Sequence, residues 1–451
     1  MKDIKVSVLI YVLNDVSHIE KCIESVIHQS LWEIEILLID GGSTDGTLDI
    51  LNKYAEQDAR IELLSCPSGV GIQFNTGLKA AKGKYIGICE SDDYLQPDMY
   101  EKQYAIAEKN QLDVLKANVN RFCQLGDHQT FFPFQFSGDR SIYDKVLYSQ
   151  NDMTFLKLGV NGFWSGLYRR DFLLKNSIYM NETKGASYQD VSISFLAAAK
   201  AERTMVMEKA FYNYRMDNPN SSINNPNKIS ILIDEYMLLK KRLCQEKLFE
   251  RFQEVYLSWK ISGYLWFYDN LSAEMKEKYV SLMYRDLLEE LTQIQYTETE
   301  LSTEEKNIVE KVRQSEQMLC TLLKQSDDAK NMMSERISSI PADRDIVIFG
   351  IGNMGEIVQQ YLSYLNKKIV AFTDNNSSAW GSKKNQVDVM PPSEVCLQYP
   401  NAIYIVANAS YYQDIVEQLV RKQISRDNLI ICNSYDFFLK KILMMAIKEE
   451  N

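Results

Sequence analysis

EIEILLIDGGSTDGT, residues 33–47, is the stretch whose reading decides the fold. EIEILLID reads as a strand that ends on an acid, Asp40. GGSTDGT behind it is a turn-rich loop in which Ser43, Thr44 and Asp45 are placed to cap a helix starting near Thr47. Upstream, VSVLIYVL (6–13) reads as a buried strand, and SHIEKCIESVIHQS (17–30) sets Ile19, Ile23, Val26 and Ile27 at helical spacing with Ser17 as N-cap. Downstream, RIELLSC is a third strand, GVGIQFNTGLKAAKG a loop and helix, and KYIGIC a fourth strand. Strands alternating with helices predict a parallel α/β sheet, whose strand ends share one edge where a ligand binds.

The fourth strand delivers three acids within four positions at that edge: Glu90, Asp92 and Asp93 in YIGICESDDYLQPD (85–98). A solvated turn would account for the cluster alone. Asp40 on a second strand end and Asp190 in YQDVSISF add two separated carboxylates. Such a set suits holding a divalent cation and a nucleotide diphosphate while another acid handles a proton.

Bulk properties narrow the classes. The 451 residues predict two to four domains, and 45% hydrophobic with 25% charged residues are those of a folded globular protein. A formal charge of −11 provides no basic field for nucleic acid, which is not an expected partner. Eight cysteines without a CxxC pair favour a reducing compartment. The apolar run at the start is too short for a signal or a span, so the expected location is cytoplasmic, with the inner face of a membrane as a candidate contact. That contact would come from the tail YDFFLKKILMMAIKEE, where Phe437, Phe438, Ile442, Leu443 and Ala446 share a helical face. A docking helix is the preferred reading of the same pattern.

Six segments in order, VSVLIYVLND, ILLIDGGSTDGT, GLKAAKGKYIGICESDDYLQPDMY, GFWSGLYRRDFL, YQDVSISF and YNYRMDNPNSSI, together resemble family 2 glycosyltransferases, inverting enzymes with the GT-A fold. The resemblance covers about residues 4–225. It implies a UDP-sugar donor, a Mn²⁺ or Mg²⁺ cofactor, and a glycan, glycolipid or glycoprotein acceptor in surface glycan or glycoprotein synthesis. By the same resemblance Asp40 holds the uracil, with Asp15 and Tyr11 near the base-binding loop. Asp92 is the last acid of the DxD motif and the metal ligand, with Glu90 and Ser91 beside the donor's sugar and ribose. Asn75 and Arg215 fall in nucleotide-sugar-binding positions, and Asp190 falls where the family keeps its general base. Trp164 and Tyr168 are candidates for a wall against a sugar ring, with core packing as the alternative for such aromatics, and pairing with a neighbouring acid is the alternative for Arg215. This chain departs from the family at Tyr11 (usually Pro), Phe74 (often basic), Glu90 (usually Asp) and Gln189 (usually Glu).

The expected domains are a catalytic GT-A domain at 1–225, a helical connector at 226–335 and a Rossmann-like α/β domain at 336–451. The last begins with FGIGNMGE, which places Gly350, Gly352 and Gly355 in GxGxxG spacing after a strand, and Asp374 ends the next strand. Through FGIGNMG and VAFTDNN it resembles small Rossmann-like domains appended to enzymes of capsule and surface-polysaccharide synthesis. NAD(P) is compatible with the spacing, but the preferred reading is that these glycines serve strand–helix packing. The alternative functions are a nucleotide-sugar-binding scaffold without catalysis and an NAD(P)-binding enzyme. The helical connector and the C-terminal domain are the candidate surfaces for a homo-oligomer.

Overall fold

The computed structural model describes residues 3–125, 128–149, 153–159, 162–183, 185, 188–218, 229–297, 299–408 and 411–449. Residues 219–228, which hold the end of YNYRMDNPNSSI and the expected boundary at 225, lie outside them. The chain forms two compact units, Met1–Phe122 with Pro133–Cys320, and Cys123–Phe132 with Thr321–Asn451.

The first sheet is built on β1 (Val6–Val12), β2 (Ile34–Asp40), β3 (Ile61–Ser65), β4 (Tyr85–Ile88), β5 (Tyr94–Leu95), β6 (Val114–Leu125), β7 (His128–Phe134), β8 (Leu147–Tyr148), β9 (Gly166–Arg169) and β10 (Arg203–Arg215), and apart from the end of β6 and most of β7 it belongs to the first unit. Their order is β3-β2-β1-β4-β9-β6-β10-β5, with β7 beside β6 and β8 beside β10. The β3-β2-β1-β4 part is parallel throughout, as expected from the alternation. β1 and β2 are buried along their whole length because helices cover both faces. Val8 and Ile10 join Ile19, Ile23 and Val26 of helix Ile19–Ile27 in one core. On the other face Leu9 and Ile39 meet Gly77 of helix Val70–Ala80.

β9 is inserted antiparallel between β4 and β6, which local patterning did not reveal. Its first residue must be glycine, because a Cβ on Gly166 would lie 1.8 Å from the Leu115 carbonyl oxygen. β10 runs parallel to β6 and pairs at its far end with β5, Tyr212 opposite Leu95 and Asn213 opposite Tyr94. That pairing carries Arg215 to the acidic loop after β4.

The helices that follow, Ile231–Gln245, Phe249–Asn270, Ala273–Gln293 and Thr303–Gln314, all fall within the first unit. They are held by buried tyrosines (Tyr236, Tyr256, Tyr264, Tyr279) and by Lys260, which bonds Asp286 at 2.7 Å and Glu290 at 2.6 Å. The helix Glu316–Ser338 runs from one unit into the other.

The second unit contains β11 (Ile346–Phe349), β12 (Ile369–Thr373), β13 (Lys383–Lys384), β14 (Val387–Met390), β15 (Ile403–Ala407) and β16 (Leu429–Cys432). Their order is β13-β14-β12-β11-β15-β16, parallel except for the β13 edge. Counted along the parallel strands this is the third, second, first, fourth and fifth, a doubly wound order. The tail helix Tyr435–Glu449 buries Phe438 and Ile442, and the Phe438 ring meets Tyr361 of helix Asn353–Tyr364 at 5.3 Å, a docking arrangement. The Ala446 side chain lies outside the described residues. No helix among the described residues is long and apolar enough to cross a membrane.

Gly166→Ala should destabilise the first unit by about 2–3 kcal/mol, since β9 and β6 cannot separate without breaking the ladder. Urea unfolding of the two proteins measures it.

Candidate active site

The acids after β4 divide by what they touch. Asp93 faces inward and is buried; its carboxylate accepts from the Tyr212 hydroxyl and from the Arg215 amide, both at 2.7 Å. The same Tyr212 hydroxyl accepts from the Glu90 amide at 2.9 Å. Asp93 therefore ties the loop to β10. Burial and the charges of Asp92 and Glu90 push its carboxyl well above the usual range.

Glu90 and Asp92 keep part of their surface exposed. Burial, then the negative charges of Asp92 and Asp190, push the Glu90 carboxyl up to about 8, while the hydroxyl of Tyr11, donating at 3.2 Å, opposes this. Asp92 is also raised by burial, against the hydrogen bond that Asn218 Nδ2 donates to its Oδ2 at 2.7 Å. Asp190 sits in the first turn of helix Gln189–Lys200, entered through Tyr188 at φ 62°, a left-handed turn that a non-glycine residue adopts only under constraint. Its carboxyl is pushed up to about 6, chiefly by burial; backbone amides at the helix start oppose this, Glu235 adds to it and Lys116 reduces it. Glu90 thus feels the charge of Asp190, and both side chains keep part of their surface exposed.

Beside that space Trp164 stacks on Tyr214 with ring centroids 4.9 Å apart and planes 8° apart, and Trp164 remains partly exposed. Lys116 lies under it, almost fully buried, bonding the Gly162 carbonyl and, at 2.9 Å, the Tyr168 hydroxyl. Burial holds its ammonium well below the usual lysine range, with Asp190 opposing.

Residues 7–174 match the Glycosyl transferase family 2 domain. The chain carries a family 2 glycosyltransferase domain. It is 31% identical over 233 residues to the glycosyltransferase EpsJ of Bacillus subtilis, covering 51% of this chain and 66% of that protein. It is 30% identical to YibD of Escherichia coli over 48% of this chain and 63% of that one. A cholesterol galactosyltransferase of Borreliella burgdorferi is 27% identical over 62% of this chain and 82% of its own. The matches thus span less than two thirds of the first two relatives. Residues 1–349 of Staphylococcus aureus TarS superpose with a TM-score of 0.54 at 18% identity, covering 72% of this chain and 91% of that one, which shows the shared fold. Residues 342–430 match a second family, C2185-like N-terminal.

Several residues that the family 2 resemblance singled out have other work in this fold. Asp40 turns its buried carboxylate onto its own loop, accepting from the Gly42 amide at 3.0 Å and the Ser43 amide at 3.2 Å. Asp15 accepts from Ser91 Oγ at 2.6 Å and meets His18 Nδ1 at 2.6 Å, which joins the base-side loop to the acidic loop. Ser17 caps nothing; the helix starts at Ile19. Asp45, by contrast, receives the Thr47 amide at 3.0 Å as expected.

Asn75 is corrected from a nucleotide contact to a strut. It is buried, donates to Met180 O and Glu182 Oε1 at 3.0 Å, and accepts from the Met180 amide at 3.1 Å. Tyr168 is corrected as well: at 2% exposure and stacked 3.9 Å from Phe163 it is core packing, whereas Trp164 stays partly exposed. Arg215 reaches the Asp92 carbonyl at 3.0 Å and Asp217 at 3.0 Å, so it braces the loop from below. Phe74, at the often-basic position, is fully buried edge-on to Phe163. Lys116, Asn218, Tyr214 and Glu235 were missed. A lysine inside the apolar run VLKANV was the one visible signal.

In the second unit Gly350 has φ 119°, and a Cβ on Gly355 would lie 1.9 Å from the Gly350 carbonyl oxygen. Asp374 accepts from the Ile351 amide at 3.1 Å and the Asn376 amide at 2.8 Å. These contacts give Gly350, Gly355 and Asp374 a role in closing the turn; a Cβ on Gly352 would meet nothing within 4 Å.

Among the described residues no three His, Cys, Asp or Glu side chains converge into a self-sufficient metal centre. Glu90 and Asp92 are nevertheless two acids with raised proton affinity facing one space. That donor set fits a hard cation whose remaining ligands are phosphate oxygens and water.

Tyr212→Phe should cost about 1–3 kcal/mol, because it leaves a buried Asp93 oxygen and the Glu90 amide without their shared partner. Chemical denaturation of the variant against the parent protein checks this.

Proposed function

We propose that this protein is a metal-dependent inverting glycosyltransferase that moves a sugar from a UDP-sugar to an acceptor hydroxyl in surface glycan or glycoprotein glycan synthesis. The observation that carries it is that Asp190 acts electrostatically on Glu90, two residues from Asp92, and that all three acids are partly exposed yet shifted upward by burial. The family 2 domain and the glycosyltransferase relatives support the reaction class. TarS, of the same fold, has been crystallised with UDP and with UDP-GlcNAc, which supports a uridine donor here.

Cleaving the sugar–phosphate bond builds negative charge on the departing diphosphate. Asp92 would hold a Mn²⁺ or Mg²⁺ ion, which when bound supplies the positive charge to stabilise that group. Asp15, tied to Ser91, and Asp40, which shapes the GGST loop, set the walls of the nucleotide side. Glu90, anchored by Tyr11, faces the donor's sugar and ribose. Trp164, backed by Tyr214, offers an apolar face to a sugar ring. Asp190 removes the proton of the acceptor hydroxyl as its oxygen attacks the anomeric carbon from the face opposite the diphosphate, which inverts the configuration. The acceptor is a glycan, glycolipid or glycoprotein. A nucleotide-free role for the C-terminal domain is part of the same proposal.

A base works unprotonated. With Asp190 titrating at about 6, kcat/KM should fall about tenfold per pH unit below 6 and level off above it. Asp190→Asn should lower turnover by about 10²–10⁴ while UDP still binds. UDP release from UDP-glucose, UDP-galactose and UDP-GlcNAc, with Mn²⁺ and with EDTA, measures both. Turnover that persists in Asp190→Asn removes the assigned base; donor binding without UDP release favours a scaffold. Release that EDTA leaves unchanged overturns the metal requirement.

A further inference from the structure

Glu235 lies on helix Ile231–Gln245, beyond the residues matched to the family 2 domain, and is fully buried. Its carboxylate accepts from Asn181 Nδ2 and from Thr183 Oγ1, both at 2.7 Å. Both donors belong to the segment that leads into the base-bearing helix. The same Asn181 Nδ2 reaches Ser192 Oγ at 3.0 Å, in the first turn of that helix, and Ser192 Oγ reaches the Glu235 carbonyl at 3.4 Å. Thr183 in turn accepts from Gln189 Nε2 at 3.0 Å, and Gln189 is the residue immediately before Asp190. One buried carboxylate therefore closes a ring of hydrogen bonds around the entry to the helix that presents Asp190.

We propose that Glu235 is a positioning residue for the base, clamping residues 181–183 against the first turn of the Gln189–Lys200 helix so that Asp190 is held toward Glu90 and Asp92. The proposal rests on the reading of Asp190 as general base. A strained left-handed residue, Tyr188, precedes the helix, and such a backbone conformation persists only where neighbouring contacts over-determine it. The Tyr188 ring meets Trp266 and Phe267 edge-on, and the hydrogen-bond ring through Glu235 fixes Gln189, the residue that follows Tyr188.

The clamp has an electrostatic consequence. The charged or titratable groups facing Asp190 are Lys116 on β6, Tyr168 on β9, Tyr11 on β1, Glu90 after β4, Tyr188 beside it, and Glu235 and Tyr236 on helix Ile231–Gln245. Lys116 favours the ionised base, whereas Glu90 and Glu235 oppose it. Removing the Glu235 charge lets Asp190 lose its proton at lower pH.

The test compares full-length parent protein, Glu235→Gln and Asp190→Asn by UDP release from UDP-glucose, UDP-galactose and UDP-GlcNAc with Mn²⁺, with water as acceptor. In Glu235→Gln the acid limb of the kcat/KM profile should move down by about one pH unit. Its turnover at pH 7.5 should fall about tenfold through misplacement of the base, with UDP affinity by calorimetry unchanged. A limb that stays in place, or a UDP affinity that falls with turnover, overturns the positioning role. If Glu235→Gln does not fold, Thr183→Val opens the ring from the other side: lost turnover with retained UDP affinity supports the clamp, and full turnover overturns it. Absence of turnover in the parent protein, or activity retained in Asp190→Asn, overturns the base itself and with it the clamp, whereas an inactive Asp190→Asn beside an unmoved limb in Glu235→Gln overturns the clamp alone.

Discussion

The structure depends on holding several carboxylates together in a partly dehydrated space. Like charges in low dielectric repel strongly, and each buried acid gains protons it would not bind in water. Glu90, Asp92, Asp93 and Asp190 all show this. Asp93 accepts two hydrogen bonds from β10 that oppose its upward shift, and in doing so it fixes the loop that presents the other two. What is left, the partly exposed Glu90 and Asp92 on that loop with Asp190 acting on Glu90, is the charge that a cation and a diphosphate ligand are suited to share.

The rest of the first unit supports that conflict. β1, β2 and β4 deliver their loops to one edge because the sheet there is parallel, and helices on both faces make it rigid. β10 reaches back through β5 to lay Tyr212 and Arg215 behind the acids. The helices after residue 230 brace the opposite wall through Glu235. The site is thus assembled from segments more than a hundred residues apart, and its geometry follows from sheet order more than from any loop.

Much of this was legible in the residues. Apolar runs ending in Asp40 and Glu90 announced parallel strands and their common edge, and the ordered motifs announced the family. Asn75 and Tyr168 could not be placed from their motifs for one reason: a polar or aromatic side chain in a motif looks the same whether it faces a ligand or a buried neighbour. Asn75 holds Met180 and Tyr168 lies under Phe163, contacts with partners far along the chain or hidden by packing. Glu235 was invisible because an acid inside an amphipathic helical pattern reads as one more solvated position.

The sequence by itself determined the strand–helix alternation, the acids at strand ends, the family of the N-terminal domain and the glycine turn of the second unit, since these are local patterns with local physical causes. Tertiary structure alone decided which acids face the open space and which are tied inward. It also decided that β9 runs antiparallel between β4 and β6, and that a helix beyond the family match closes the base's support. Those outcomes depend on burial and on partners brought together by sheet pairing, and a side chain's ionisation is set by that surrounding and not by its place in a motif.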